Sequence, residues 1–202
     1  MDEIILIGAG GHARSCIEVV ELTGKFKIAG LIEKNNVSKK ETLGYPIIGN
    51  DNDLPRIRSR IKYALIALGQ IRTPDIRLKL FNYLSELEYN LPSIISPRSH
   101  ISKYSKINNG TIIMHDVIIN AHSQIGKNCI INNKVLIEHD VDIKDNCHIA
   151  TGSIINGGVS INNQSFIGSG VITKESINIG SNCIIGAGVV IKKNIDSNTI
   201  IK

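Results

Sequence analysis

In the stretch NNKVLIEHDVDIKDNCHIATGS, residues 132–153, His139 stands between two carboxylates, Glu138 and Asp140, and His148 follows nine residues later. An imidazole beside a carboxylate suits a proton acceptor near neutral pH, because the acid fixes the tautomer and raises the basicity of the ring. The chemistry is deprotonation of an incoming nucleophile. A second group lies at the N-terminus, where GAGGHA (residues 8–13) follows the apolar run EIILI. There Gly10, Gly11 and His12 lead into a segment of helical periodicity, the arrangement in which backbone N–H groups approach a phosphate. Glu33 comes about 20 residues further on, where an acid meets a ribose hydroxyl.

The elements that carry His139 are set by a repeat. From Ile95 to Ile191 every sixth residue is isoleucine, except Thr173. The residue two places before each is small or β-branched, so two alternate side chains per unit point inward. This is a hexapeptide beat, the signature of a parallel β-helix. Three units close a triangular coil of about 18 residues, so residues 18 apart stack. Cys129, Cys147 and Cys183 then share one inward column with Ser165, which makes them core residues. Each buried isoleucine contributes ~1.5–3 kcal/mol before chain entropy is subtracted, which lets a chain with 4% aromatics build a core. Gly126, Gly168, Gly180 and Gly186 directly follow the isoleucine, where a turn of unusual φ is expected. Half a coil separates His139 from His148, so the two meet only across the subunit interface of a threefold assembly.

In front of the repeat, EIILI, KIAGLIE and YALIAL read as strands, with RSCIEVVELTG and PDIRLKLFNYLSEL as helices between or after them. That order predicts a small Rossmann-like sheet over residues 1–92 and a β-helix over 93–202. With one βαβ half, the front domain suits a nucleotide-sugar better than a dinucleotide. The net charge of +5 is spread over scattered Lys and Arg residues with few aromatics, which argues against nucleic acid. No apolar run reaches the ~18 residues of a membrane span, and the first strand lacks a signal peptide's features, so a cytoplasmic protein is expected. The four cysteines show no CxxC spacing.

The combination of GAGGHA, a small α/β domain, and repeats carrying NNKVLIEHD and CHIATGS resembles the NeuD/PglD-type sugar acyltransferases over nearly the whole chain. The resemblance implies a left-handed β-helix, a homotrimer, acetyl-CoA lying along the helix between subunits, and a nucleotide-linked sugar in the front domain. It implies that His139 is the general base and Asp140 its supporting acid. His148 and Gly157 match acetyl-CoA contacts. Gly10, Gly11, His12, Glu33, Lys34 and Gly69 match the sugar-nucleotide site. The sequence departs from the family at Lys34, where some members carry a second acid, and at its end, DSNTIIK, in place of a G-x-P-A-K tail. The leading expectation is N-acetylation of a UDP-linked 4-amino-deoxy-sugar for bacterial surface glycans. The alternative is O-acetylation of a sialic-acid-like sugar. From other classes come a zinc enzyme of the γ-carbonic anhydrase kind and a non-catalytic sugar-nucleotide binder. The histidines offer no clear three-ligand set, so no metal is expected.

Overall fold

The computed structural model describes residues 1–34, 40–71 and 73–202. The apolar run at the N-terminus forms β1 (Asp2–Ile7), which enters α1 (Gly11–Thr23) through the glycine loop. Strand β2 (Phe26–Ile32) follows, then a hairpin of β3 (Glu41–Thr42) and β4 (Tyr45–Gly49). Next come a short 3-10 turn (Asp51–Asp53), α2 (Leu54–Arg58), β5 (Tyr63–Ile66) and α3 (Asp75–Glu86). The sheet order is β3-β4-β2-β1-β5, parallel except for the β3–β4 pair. The strands on either side of β1 therefore lead away in opposite directions, which creates a switch point at its C-terminal end. The sequence reading had no β3, β4 or α2, and it began α1 at Arg14, one turn too late.

From Ile94 the chain winds as a left-handed parallel β-helix of two-residue strands, stacked as three sheets. Its first strand, β6 (Ile94–Ile95), is already in register with β9 (Ile112–Ile113). The expected columns line the interior: Ile113, Ile131, Ile149, Ile167 and Ile185 form one, and Cys129, Cys147, Ser165 and Cys183 another, all inaccessible to solvent. The last coil is shorter, pairing Ile184 with Ile200 across 16 residues.

The turns correct one expectation. Positive φ falls on every sixth residue from Gly110 to Gly188, three places after the isoleucine position, and includes Asp116, His122, Asn128, Lys134, Asp140 and Asn146. The glycines directly after isoleucine are not in that region. A Cβ on Gly126 would lie 2.5 Å from the carbonyl carbon of Lys144, and one on Gly180 would lie 2.4 Å from the Ser197 nitrogen. Glycine is needed there because the next coil passes too close, not because the turn demands unusual dihedrals.

The residue between each pair of inward positions points outward, giving three external faces. One carries Lys106, Gln124, Asp142, Ser160 and Asn178 and is polar. A second carries Ile94, Ile112 and Ile130, followed by His148 and Phe166. The back of α1 covers its first three residues, and Ala13, Cys16, Ile17 and Val20 share a buried cluster with them. The third face, Ile118, Leu136, Ile154, Ile172 and Val190, is apolar and open, with Ile118, Ile172 and Val190 at 42, 38 and 54% exposure.

Candidate active site

His139 and Asp140 occupy the turn between β13 (Leu136–Ile137) and β14 (Asp142–Ile143), at the corner where the open apolar face meets the polar one. Asp140 takes the left-handed position of that turn, with φ 59°, a conformation Asp tolerates better than most residues. Its Oδ2 lies 2.8 Å from Nδ1 of His139, and both side chains are about two-thirds exposed, 66% for His139 and 63% for Asp140. A carboxylate only accepts, so Nδ1–H is the donor and Nε2 is left with a free lone pair toward solvent. The other flanking acid, Glu138, is drawn away: Asn120, one coil earlier in the stack, donates Nδ2 to its Oε2 at 3.1 Å.

Gly157 lies one coil later than His139. A Cβ there would come within 2.7 Å of Cε1 and 2.8 Å of Nε2, so the absence of a side chain gives the imidazole its seat. The family resemblance implies an acetyl-CoA contact at Gly157. Its visible role is to make room for the ring.

His148 is elsewhere. It sits on the domain-covered face, diametrically across the triangle from His139, and is buried. Its Nδ1–H donates to the backbone carbonyl of Gln70, Nε2 is 3.4 Å from Asn132 Nδ2, and Phe166 meets the ring edge-on. Burial pulls its pKa down to about 4, against the opposing effect of the Gln70 bond. It is enclosed between its own β-helix, through Asn132 and Phe166, and its own front domain, through Gln70, which corrects the picture of a ring open to a neighbouring subunit.

The front-domain residues are brought together. Gly10 caps α1, Gly11 begins it, and both are exposed with nothing within 4 Å of where a Cβ would stand. Loop and helix start are therefore open to a ligand. Glu33, at the end of β2, spends one carboxylate oxygen on the Ala9 N–H (2.8 Å) and the other on the Lys34 N–H (2.9 Å), so it braces the glycine loop. Gly69 lies against His12, with a virtual Cβ 3.8 Å from the His12 Cβ. Burial, and then the Arg77 guanidinium and His148, lower the His12 pKa to about 3.

Two features were missed in the sequence. Arg77, on α3, is 1% exposed. Its guanidinium donates to the carbonyls of Ile66 and Leu68 at 2.9 and 2.7 Å and to Asn128 Oδ1 at 2.8 Å. Together with Gln70 Nε2 donating to the Asn146 carbonyl at 2.8 Å, it fastens the end of β5 to the β-helix. The helical spacing of PDIRLKL places Arg77 inward, yet an arginine reads as surface by default. The other is a cleft of about 620 Å³ at the C-terminal ends of β1, β2 and β5, the switch-point position. Glu33 and Lys34 line it with Ile32, Leu68, Asp51, Lys79 and Tyr83, among others. Among the described residues no cluster of His, Cys, Asp and Glu could hold a metal, and no helix is long and apolar enough to cross a membrane.

Comparison with known proteins fits both halves. The family model for the PglD N-terminal domain matches residues 3–84. Models for the bacterial transferase hexapeptide (six repeats) and the hexapeptide repeat of succinyl-transferase match 122–157 and 158–193. Residues 3–84 are thus a PglD-type N-terminal domain and residues 122–193 hexapeptide repeats, and in this combination the chain is similar to the PglD/NeuD-type sugar acyltransferases. Solved structures of such proteins superpose over nearly their whole length. PerB from Caulobacter crescentus, in complex with CoA and GDP-perosamine, is 29% identical with a TM-score of 0.91, covering 99% of this chain and 93% of that one. The acetyltransferase domain of PglB from Neisseria gonorrhoeae, in complex with acetyl coenzyme A, is 25% identical with a TM-score of 0.90, covering 98% and 94%. WeeI from Acinetobacter baumannii, at 22% identity and a TM-score of 0.88 over 99% and 96%, shares the fold. No curated protein sequence matches the chain. The PglD/NeuD-type architecture thus accounts for the pairing of an open glycine loop with an imidazole on a hexapeptide corner.

Proposed function

We propose that the protein transfers the acetyl group of acetyl-CoA to the amino group of a sugar carried on a nucleoside diphosphate, with His139 as general base. The observation that carries the proposal is the His139–Asp140 pair, whose hydrogen bond leaves Nε2 free on an exposed corner. The amine attacks the thioester carbonyl, a tetrahedral intermediate forms, and the proton lost by nitrogen passes to Nε2. Collapse expels the CoA thiolate, and the imidazolium can return the proton to sulfur. Asp140 holds the ring and stabilises its charged form.

Acetyl-CoA as donor is supported by the CoA and acetyl coenzyme A in the solved relatives, and an amino-sugar acceptor by the GDP-perosamine in PerB. Uridine as the carrier is the expectation from sequence; the cleft's own chemistry bears on the base. The acceptor's phosphates belong at the Gly10–Gly11 loop, where α1 offers unpaired N–H groups. Within one chain that loop lies on the covered side of the β-helix and His139 on the opposite corner. A homotrimer packed through the open apolar face, Ile118 to Val190, brings one subunit's His139 toward a neighbour's front domain and completes the site. Both substrates are cytoplasmic metabolites, so the reaction belongs in the cytoplasm.

The test is thiol release from acetyl-CoA against nucleotide-linked amino-sugars and sialic-acid-like sugars, with the product identified by mass and by sensitivity to mild base. Turnover confined to amino-sugars with a base-stable amide is the expected result. A base-labile ester on a sialic-acid-like acceptor would replace N- by O-acetylation, and no thiol release with any acceptor would leave a binding protein.

A further inference from the structure

The cleft at the ends of β1, β2 and β5 holds an acid that the fold does not use. Asp51 opens the 3-10 turn after β4 and lines the cleft, and no hydrogen bond or ion pair engages its carboxylate among the described residues. The turn does not need it. Asn50 and Asp53 supply the reciprocal capping hydrogen bonds, and Asp53 also takes Arg56 at 3.1 Å. The rest of the cleft is mainly apolar: Ile32 forms part of the floor, and Ile76, half exposed, stands on α3 with Leu80 and Tyr83. On that same α3 wall is Lys79, whose ammonium has no acid partner among the described residues.

Strand order places these groups along a bound nucleotide. Phosphates belong at the loop after β1. Glu33 lies one strand out, at the end of β2, and Asp51 a further strand out, after β4. Adjacent strands are about 4.8 Å apart, so the steps from loop to Glu33 to Asp51 match phosphate, ribose and base in turn. A carboxylate is acceptor-only and favours two adjacent N–H donors. Guanine offers that pair at N1 and N2. Uracil presents a single N–H flanked by two carbonyls, which repel a carboxylate. Guanine's O6 and N7 are acceptors that suit a lysine ammonium.

We propose that Asp51 selects a guanine base, so that the acceptor is a guanosine-diphosphate-linked sugar rather than the uridine-linked one expected from sequence. This rests on the front domain being the nucleotide site. The experiment is calorimetric titration of the full-length protein with GDP, IDP and UDP, repeated with Asp51→Asn. IDP lacks only the N2 amino group. GDP is expected to bind roughly 10–100-fold more tightly than UDP, the scale of a bidentate base contact, with IDP between them. Asp51→Asn, with an unchanged melting temperature, should lose about tenfold or more for GDP and little for UDP. Wild-type protein that binds UDP as well as or better than GDP overturns the base assignment alone. Equal losses for GDP and UDP in the variant place Asp51 on the ribose and overturn it too. Binding of none of the three overturns the nucleotide-site reading itself.

Discussion

His139 owes its usefulness to two neighbours that do different things. Asp140 accepts from Nδ1–H and so fixes the tautomer, and Gly157 leaves room for the ring against the next coil. Replacing His139 with Ala should lower kcat by ~10²–10⁴, the usual scale for a positioned proton acceptor, without changing the melting temperature. The side chain is exposed and buries nothing in the isoleucine columns. Gly157→Ala should also lower kcat, with CoA affinity largely kept, because the added methyl displaces the imidazole. Steady-state kinetics with a thermal melt check both, and near wild-type turnover of His139→Ala would remove the mechanism. The pair itself is legible in the sequence, since the six-residue beat puts 139 and 140 at a turn. Which flanking acid is partner was legible in principle as well: stacking at 18 places Asn120 beside Glu138. Asp51 was not, because Pro46 hides β4 in YPIIG, and without β4 the acid has no address.

At the level of elements, the seam between α1, the loop after β5 and the second coil face is where buried polar groups concentrate. His148 is neutral there, donating from Nδ1 to Gln70. Its folded pKa of about 4 lies below its ordinary 6.5, so between those values the unfolded chain binds more protons than the native one. Stability from this group is therefore intact above pH 6.5 and falls as pH drops toward 4. At pH 5 the loss should be about 2 kcal/mol, from ~1.4 kcal/mol per pH unit. Urea unfolding at pH 7.5 and 5 checks it: His12, lowered to about 3 in the same seam, adds a dependence of the same sign, so His148→Asn should remove roughly half of the pH-dependent loss, and an unaltered slope would mean that the ring is already solvated. The repeat was readable because every coil obeys one spacing. The seam was not, because its partners Gln70, Arg77, Asn128 and Asn146 come from separate stretches of the chain. One clue was present: Ile94, Ile112 and Ile130 recur every 18 residues on an outward position, and an apolar outward column needs a cover.

Across the whole molecule, the three outer faces have different fates: one polar, one covered, one apolar and open. The open face is expected to be the contact between subunits. Ile154→Glu at its centre should convert a trimer to monomers by light scattering and abolish turnover while leaving His139, Asp140 and the cleft untouched. Fully active monomers would show that one chain suffices. The covered face has a different consequence. An array whose units touch only their neighbours has no inherent place to begin. Here α1, complete before any repeat residue has been synthesised, offers an apolar shelf to Ile94, Ile112 and Ile130 in the order in which they leave the ribosome. The shelf is therefore expected to serve as the solenoid's first rung, with each new coil added to one already laid down.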